Sequence, residues 1–114
     1  WTIRKMAAEL EALTKAYFDV FNAHDAAATA GTFSADGSLR DWDNAASGAA
    51  KIQETVGGIF KAVPEIKCNI LNLAVDPAAR RVTAELRIDL NPTDSILVAD
   101  IFDFDAQGKI TALR

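Results

Sequence analysis

The chain has 114 residues, half of them hydrophobic and a quarter charged, which is typical of one globular domain spanning residues 1–114. Its net charge of -4 and pI near 4.8 argue against nucleic-acid binding, which would require a basic face. One cysteine and one histidine exclude an intrachain disulfide and a metal centre built from several such residues.

We expect a cytoplasmic protein, because a single cysteine, Cys68, suits a reducing compartment. No apolar run approaches the length of a membrane span, so we expect neither a membrane nor nucleic acid among its partners. The first residue is Trp1 rather than methionine, so the sequence leaves open the native N-terminus and any targeting segment removed from it.

Apolar residues at steps of three and four predict an amphipathic helix from residue 3 to about residue 22. Tyr17 lies on its buried stripe, as a core tyrosine bonded to a backbone carbonyl or as a catalytic group. His24, the only histidine, ends the helix, and we interpret it as a surface or capping residue. Asp25 is predicted to cap a short second helix at residues 26–33.

The next segment predicts a turn, a short strand and a third helix. Residues 34–37 (Ser-Ala-Asp-Gly) have turn composition and lead into a strand at residues 38–42, where Leu39 and Asp41 share a face. Ser47 is the expected N-cap of the third helix, from about residue 48 to residue 62.

The second half of the chain predicts four strands, at residues 66–75, 81–90, 95–105 and 109–114. Helices followed by long strands indicate an α+β domain. We expect three helices packed in a curved, mostly antiparallel sheet, with a conical pocket between them.

Strand 95–105 contains the first candidate for chemistry. Val98, Asp100, Phe102 and Phe104 share one face of it, so Asp100 sits in an apolar row. A carboxylate there must be paired, hydrogen-bonded or protonated, because burying it bare costs several kcal/mol or more. Either Asp100 is a functional group, or the strand is unevenly buried and Asp100 lies near a solvated end.

These motifs resemble the superfamily of nuclear transport factor 2, ketosteroid isomerase and the SnoaL-like polyketide cyclases. The resemblance covers nearly the whole chain and implies the cystatin-like α+β fold. It does not specify one activity, because the superfamily holds isomerases, cyclases, dehydratases, hydrolases and non-catalytic proteins. It rests on residues 16–25 (AYFDVFNAHD), 33–41 (FSADGSLRD), the helix from Ser47-Gly48 to Ile59-Phe60, and residues 100–110 (DIFDFDAQGKI).

The resemblance to ketosteroid isomerase implies specific catalytic roles. It places Asp41 at the general base, Tyr17 at an oxyanion-hole tyrosine and Asp100 at a second, protonated oxyanion donor. The reaction would be isomerisation or cyclisation α to a carbonyl, without a metal or cofactor. We expect Asp100 to be the drier carboxyl, neutral near pH 7, and Asp41 to stay ionised. Phe33 and Val56 depart from the pattern, because that enzyme has supporting tyrosines there.

The expected ligand is a small apolar molecule. Its predicted contacts are the apolar and aromatic side chains Phe21, Phe33, Trp42, Val56, Phe60, Leu86, Ile88, Val98 and Phe102.

Two alternatives remain. Arg87-Ile-Asp89 and Trp42-Asp43-Asn44 resemble catalytic motifs of limonene-epoxide hydrolase, but the row Thr83, Glu85, Arg87, Asp89 should face away from the pocket, and the partner aspartate would fall beyond Arg114. The chain could instead be a non-catalytic binding or association domain, as the transport factor is. In either case we expect a homodimer through the outer sheet face, which carries that polar row.

Overall fold

The computed structural model describes residues 2–114, in which three helices pack against a six-stranded sheet. The strand order is β2-β1-β6-β5-β4-β3, with β1 and β6 parallel and the other neighbouring pairs antiparallel. The predicted α+β class is therefore confirmed. The elements are α1 (Ile3–Asn22), α2 (Ala26–Gly31), β1 (Phe33–Arg40), β2 (Ala45–Ser47), α3 (Ala49–Ala62), β3 (Lys67–Asp76), β4 (Arg81–Asp89), β5 (Ser95–Phe104) and β6 (Ile110–Leu113).

Helix α1 forms where the apolar spacing predicted it. The hydroxyl of Thr2 caps its first turn by accepting a hydrogen bond from the backbone N–H of Lys5 at 3.1 Å. Thr14 is polar on the buried stripe, and its hydroxyl is satisfied because it donates to the carbonyl of Leu10 at 2.8 Å. The buried side of α1 consists of Leu10, Thr14, Tyr17, Phe18 and Phe21.

Within residues 2–114, no helix combines the length and hydropathy needed to cross a lipid bilayer.

Strand β1 begins earlier than the sequence predicted, because residues 34–37 lie within the strand and not in a turn. The pairing of β1 with β6 is irregular between Phe33 and Ser38, as in a β-bulge. Gly37 is required there, since a β-carbon at this position would lie 2.8 Å from the carbonyl oxygen of Ile110. The turn prediction was wrong because the same small and polar residues suit turns and bulges.

The start of α3 also differs from the prediction. Ser47 belongs to β2 and is not the N-cap; Gly48 takes that position with a φ of 85° and no side-chain hydrogen bond. Glycine adopts this left-handed region without the steric cost that a β-carbon would bring. Helix α2 ends at Gly31 rather than at residue 33, because Phe33 opens strand β1.

Strands β4 and β5 are neighbours in the sheet and pair without interruption from Arg81–Asp103 to Asp89–Ser95. In this register Ala84 lies opposite Asp100, so the smallest side chain of the inner row of β4 faces that carboxyl. The alternation of apolar residues predicted which face is buried, and the structure confirms it. The fully buried side chains of the two strands are Val82, Ala84, Leu86 and Phe102.

Candidate active site

A cavity of about 290 Å³ lies between helices α1 and α3 and the inner face of the sheet. Its inner wall is mostly apolar and includes Phe18 and Phe21 of α1 and Ile88 of β4. Its mouth is polar and is formed largely by residues 41–44, which we call the entrance loop. Tyr17, Asp41 and Asp100 all line this cavity, so the structure brings the three predicted catalytic side chains together.

Tyr17 is held in the inner wall by other aromatic rings. Its ring lies edge-on to Phe18 at 5.1 Å and to Phe102 at 5.2 Å between centroids, and only 4% of the residue is exposed. Its hydroxyl makes no hydrogen bond within residues 2–114, so Tyr17 is not the backbone-bonded core tyrosine considered above. Burial raises its pKa well above the usual value, and nearby Asp100 adds to the shift. The hydroxyl is therefore a neutral donor available to a ligand.

Asp100 projects from β5 into the same cavity, beside the row of β4 that carries Ala84. Its carboxyl forms neither a hydrogen bond nor an ion pair with the described part of the chain. Burial, with a smaller contribution from Asp41, raises its pKa to about 6. The upward direction agrees with the prediction that Asp100 is the carboxyl more affected by burial. A pKa of about 6 populates both protonation states near neutral pH, and the neutral form expected at pH 7 stays a prediction.

Asp41 is exposed, and its oxygens are already engaged. Oδ1 accepts hydrogen bonds from the backbone N–H groups of Asp43 at 2.9 Å and Asn44 at 2.6 Å. The side-chain amide of Asn44 donates to both oxygens, at 3.0 and 2.9 Å. This is an Asx turn with a side-chain clamp, and its signal in the sequence is an aspartate followed two and three residues later by Asp and Asn. Asp41 thus holds the entrance loop together.

Cys68 is a cavity residue that the sequence analysis did not identify as such. It lies on β3, and burial raises its pKa to about 12, with a further contribution from Asp100, so the thiol stays protonated. Asn22, at the end of α1, donates to the carbonyl of Cys68 at 2.9 Å and accepts from its N–H at 2.8 Å. His24 Nε2 lies 2.8 Å from the carbonyl of Ile66. Asn22 therefore joins the end of α1 to the edge strand β3, and His24 joins the segment after α1 to the residue that precedes β3.

The predicted ligand contacts divide into two layers. Phe21, Trp42, Val56, Ile88 and Val98 line the cavity. The other four lie behind it: Leu86 and Phe102 are completely buried, Phe33 packs against Tyr17, and Phe60 stacks on His24 at 4.5 Å. Strand alternation gives the correct face for Leu86 and Phe102 but not their depth; Phe102, for example, is covered by Tyr17 and Phe18 of α1.

The residues that resemble an epoxide hydrolase are not brought together. Trp42, Asp43 and Asn44 line the mouth of the cavity, but Arg87 and Asp89 do not reach it. Arg87 Nε instead contacts Asp89 Oδ1 at 3.0 Å, and Asn69 bonds the other oxygen of Asp89 at 2.9 Å. The row on β4 thus faces away from the cavity, as strand alternation predicted.

A family model for the SnoaL-like domain matches residues 14–113. No curated protein matches the chain at a significant level. Among solved structures, the epoxide hydrolase/cyclase-like enzyme SalBIII, with a role in pyran ring formation in the polyether salinomycin, superposes with a TM-score of 0.81. It is 20% identical, and the match covers 94% of this chain and 88% of SalBIII.

Two further structures are similar over most of their length. A candidate polyketide cyclase from Sinorhizobium meliloti is 20% identical, with a TM-score of 0.78 and coverage of 89% of this chain and 90% of its own. A candidate ketosteroid isomerase from Kribbella flavida is 14% identical, with a TM-score of 0.77 and coverage of 94% and 76%. At these identities the likeness shows the fold, which is the cystatin-like fold that the sequence predicted.

Proposed function

The chain belongs to the SnoaL-like domain family, as its motifs indicated, and we propose that it is an isomerase or cyclase that moves a proton α to a carbonyl group. The substrate is a small, largely apolar molecule. Solved neighbours that carry the names of a polyketide cyclase and a ketosteroid isomerase support this reaction class. The proposal gives the proton transfer to Asp100 and the stabilisation of the enolate oxygen to Tyr17.

The observation that supports the proposal most directly is that Asp100 and Tyr17 line one apolar cavity with no partner for their oxygens among residues 2–114. Both groups face the cavity rather than a protein partner, so a molecule bound there can reach them. A carbonyl compound in the cavity would supply both partners, a C–H group for the carboxylate and an oxygen for the hydroxyl.

The proton balance of the reaction is simple. The Asp100 carboxylate accepts the α proton, the C–H electrons form the enolate double bond, and the carbonyl oxygen takes the negative charge. Tyr17 donates a hydrogen bond to that oxygen. Return of the proton from Asp100 to the γ carbon completes an isomerisation. Attack of the enolate carbon on a second carbonyl instead closes a ring, and the proton held by Asp100 then passes to the alkoxide oxygen that this attack forms. A base with a pKa of about 6 is well placed for this transfer near neutral pH.

The base is assigned to Asp100 rather than to Asp41 for a geometric reason. The carboxylate of Asp41 accepts hydrogen bonds from Asp43 and Asn44, which hold it within the entrance loop and leave only Oδ2 with a lone pair for a substrate. Asp100 has its oxygens free and lies deeper in the cavity. The assignment of Asp41 as base therefore has less geometric support than the resemblance to ketosteroid isomerase implied.

Deuterium exchange tests the proposal without knowledge of the natural substrate. We expect the protein to accelerate exchange of the α protons of 1-tetralone in D₂O, and to convert a bicyclic β,γ-unsaturated ketone to its conjugated isomer. Both reactions are followed by proton NMR, with a Kd measured for each probe. Tight binding of both probes without accelerated exchange or isomerisation would contradict the proposal and favour the non-catalytic alternative.

We also propose a homodimer through the outer sheet face. Leu97 of β5 is 77% exposed and lies opposite Arg87, and Leu71 of β3 is 50% exposed, so this face carries apolar as well as charged side chains. Because Arg87 is engaged by Asp89 in the same chain, we assign the association mainly to the leucines.

The expected result is a dimer at micromolar concentration by sedimentation, and a monomer for Leu97→Glu, since dimerisation would bury the new carboxylate. Ala62→Glu places the same charge at an exposed position at the end of α3 and should leave the dimer intact. A parent protein that sediments as a monomer would contradict the proposal.

A further inference from the structure

Trp42 is the most exposed large apolar side chain of the described residues, with 98% of its surface in water. It follows Asp41 in the entrance loop and lines the mouth of the cavity. Removing a large aromatic side chain from water is favourable, so contact between the Trp42 indole and an apolar molecule would stabilise the complex. Because Trp42 lies at the mouth, a ligand bound in the cavity can make this contact.

The entrance loop presents Trp42 from a fixed backbone. The N–H of Asp41 donates to the carbonyl of Asn44 at 2.9 Å, which closes the loop around Trp42 and Asp43. The carboxylate of Asp41 then holds the N–H groups of Asp43 and Asn44, and the amide of Asn44 clamps it from the side. Hydrogen bonds to Asp41 therefore fix the backbone of the loop that carries Trp42.

Strands β1 and β2 hold the ends of the loop. Arg40 pairs with Ala45 at the base of the loop. The next pair, Leu39 and Ala46, is buried. Rotation about the side-chain bonds of Trp42 is then the motion by which the indole can move over the mouth. The inner wall, by contrast, is formed by packed aromatic residues of α1 that have no such freedom.

We propose that Trp42 is a specificity-determining residue that closes over an apolar ligand in the cavity, and that Asp41 is a positioning residue that holds Trp42 at the mouth. The inference rests on the proposed binding cavity, but not on which group carries the proton. It predicts selection for ligands with an apolar ring at the end that faces the solvent. It also explains why the Asp41 carboxylate, at the mouth of the cavity, accepts hydrogen bonds from its own loop.

Binding of 1-tetralone measures the role of Trp42. The chain has two tryptophans, so Trp1→Phe leaves Trp42 as the sole indole. In that background we expect the probe to shift the emission of Trp42 to shorter wavelength and to protect it from acrylamide quenching. Trp42→Ala should raise the Kd by about three- to tenfold, the range of one aromatic contact. Trp42→Phe should recover part of the loss.

Two replacements of Asp41 separate positioning from proton transfer. Asp41→Ala removes the carboxylate that accepts from Asp43 and Asn44, and we expect its Kd and KM to rise to those of Trp42→Ala while kcat changes little. Asp41→Asn keeps an oxygen that can accept from the N–H groups of Asp43 and Asn44, so it should restore most of the affinity. Circular dichroism checks that both variants are folded.

Each opposite result overturns a part of the inference. An unchanged Kd in Trp42→Ala, with no change in Trp42 emission on binding, would show that the indole does not cover the ligand. A fall in kcat of about 10²-fold or more in Asp41→Asn, with Kd unchanged, would show that Asp41 is a base. If the parent protein does not accelerate exchange, the proposed enzymatic reaction is contradicted, but the binding measurements still test the role of Trp42.

Discussion

Replacement of Asp100 by asparagine should lower kcat for α-proton exchange by about 10²–10⁴-fold, the contribution that a positioned general base makes. The amide keeps the shape and polarity of the side chain but cannot accept a proton. Because the cavity wall is preserved, the Kd of 1-tetralone should change little. Proton NMR of the probe in D₂O gives the rate, and the parent protein should lose activity as pH falls through about 6, where Asp100 becomes protonated.

The same variant should be more stable than the parent at pH 8. The folded-state pKa of Asp100 is raised to about 6, above the value of about 3.9 in an unfolded chain. The folded protein therefore holds a proton that the unfolded chain releases, and its free energy of unfolding decreases as pH rises from about 4 to above 6. Asp100→Asn removes this loss, so its Tm should exceed that of the parent at pH 8, with the difference disappearing near pH 4.

Asp36→Asn is the matched control, because Asp36 is an exposed aspartate on β1, outside the cavity. It should change neither the exchange rate nor the pH dependence of the Tm. If Asp100→Asn were instead much less stable than the parent at pH 8, the charged carboxylate would be stabilising the fold. The role of Asp100 as a base free to meet the substrate would then have to be abandoned.

Tyr17→Phe should lower kcat by about 10²–10³-fold, as expected when one donor to a developing oxyanion is removed. The ring keeps its packing on Phe18 and Phe102, and the hydroxyl makes no hydrogen bond within residues 2–114. We therefore expect the Tm to remain close to that of the parent. A large fall in kcat with little change in Tm would indicate that the Tyr17 hydroxyl acts on the substrate and does not stabilise the fold.

The protonation state of Tyr17 can be measured directly, because it is the only tyrosine in the chain. Absorbance at the phenolate band should show no ionisation through pH 10, since burial and the nearby Asp100 raise its pKa. Appearance of phenolate below pH 10, or an unchanged kcat in Tyr17→Phe, would rule out a neutral hydroxyl as the oxyanion donor.

The residues that reach the cavity could be predicted only in part. Alternation along β5 placed Asp100 on the inner face, and the helical stripe placed Tyr17 there, since both periodicities are properties of the local backbone. Depth was not predictable in this way, and Phe102 belongs to the second layer because α1 covers it. Cys68 was missed because the contact of β3 with the end of α1 joins residues 46 positions apart.

By itself, the sequence determined the α+β class, the family resemblance, most element positions and the faces of the long strands, because these follow from local hydrogen bonding and periodic burial. The tertiary structure decided which polar atoms remain free. Asp41 and Asp100 both line the cavity, but the carboxylate of Asp41 is engaged by its own loop, whereas that of Asp100 makes no hydrogen bond with the described residues. That difference depends on the packing of α1 against β3, β4 and β5, which brings apolar residues from distant segments around one carboxyl and excludes most of its water.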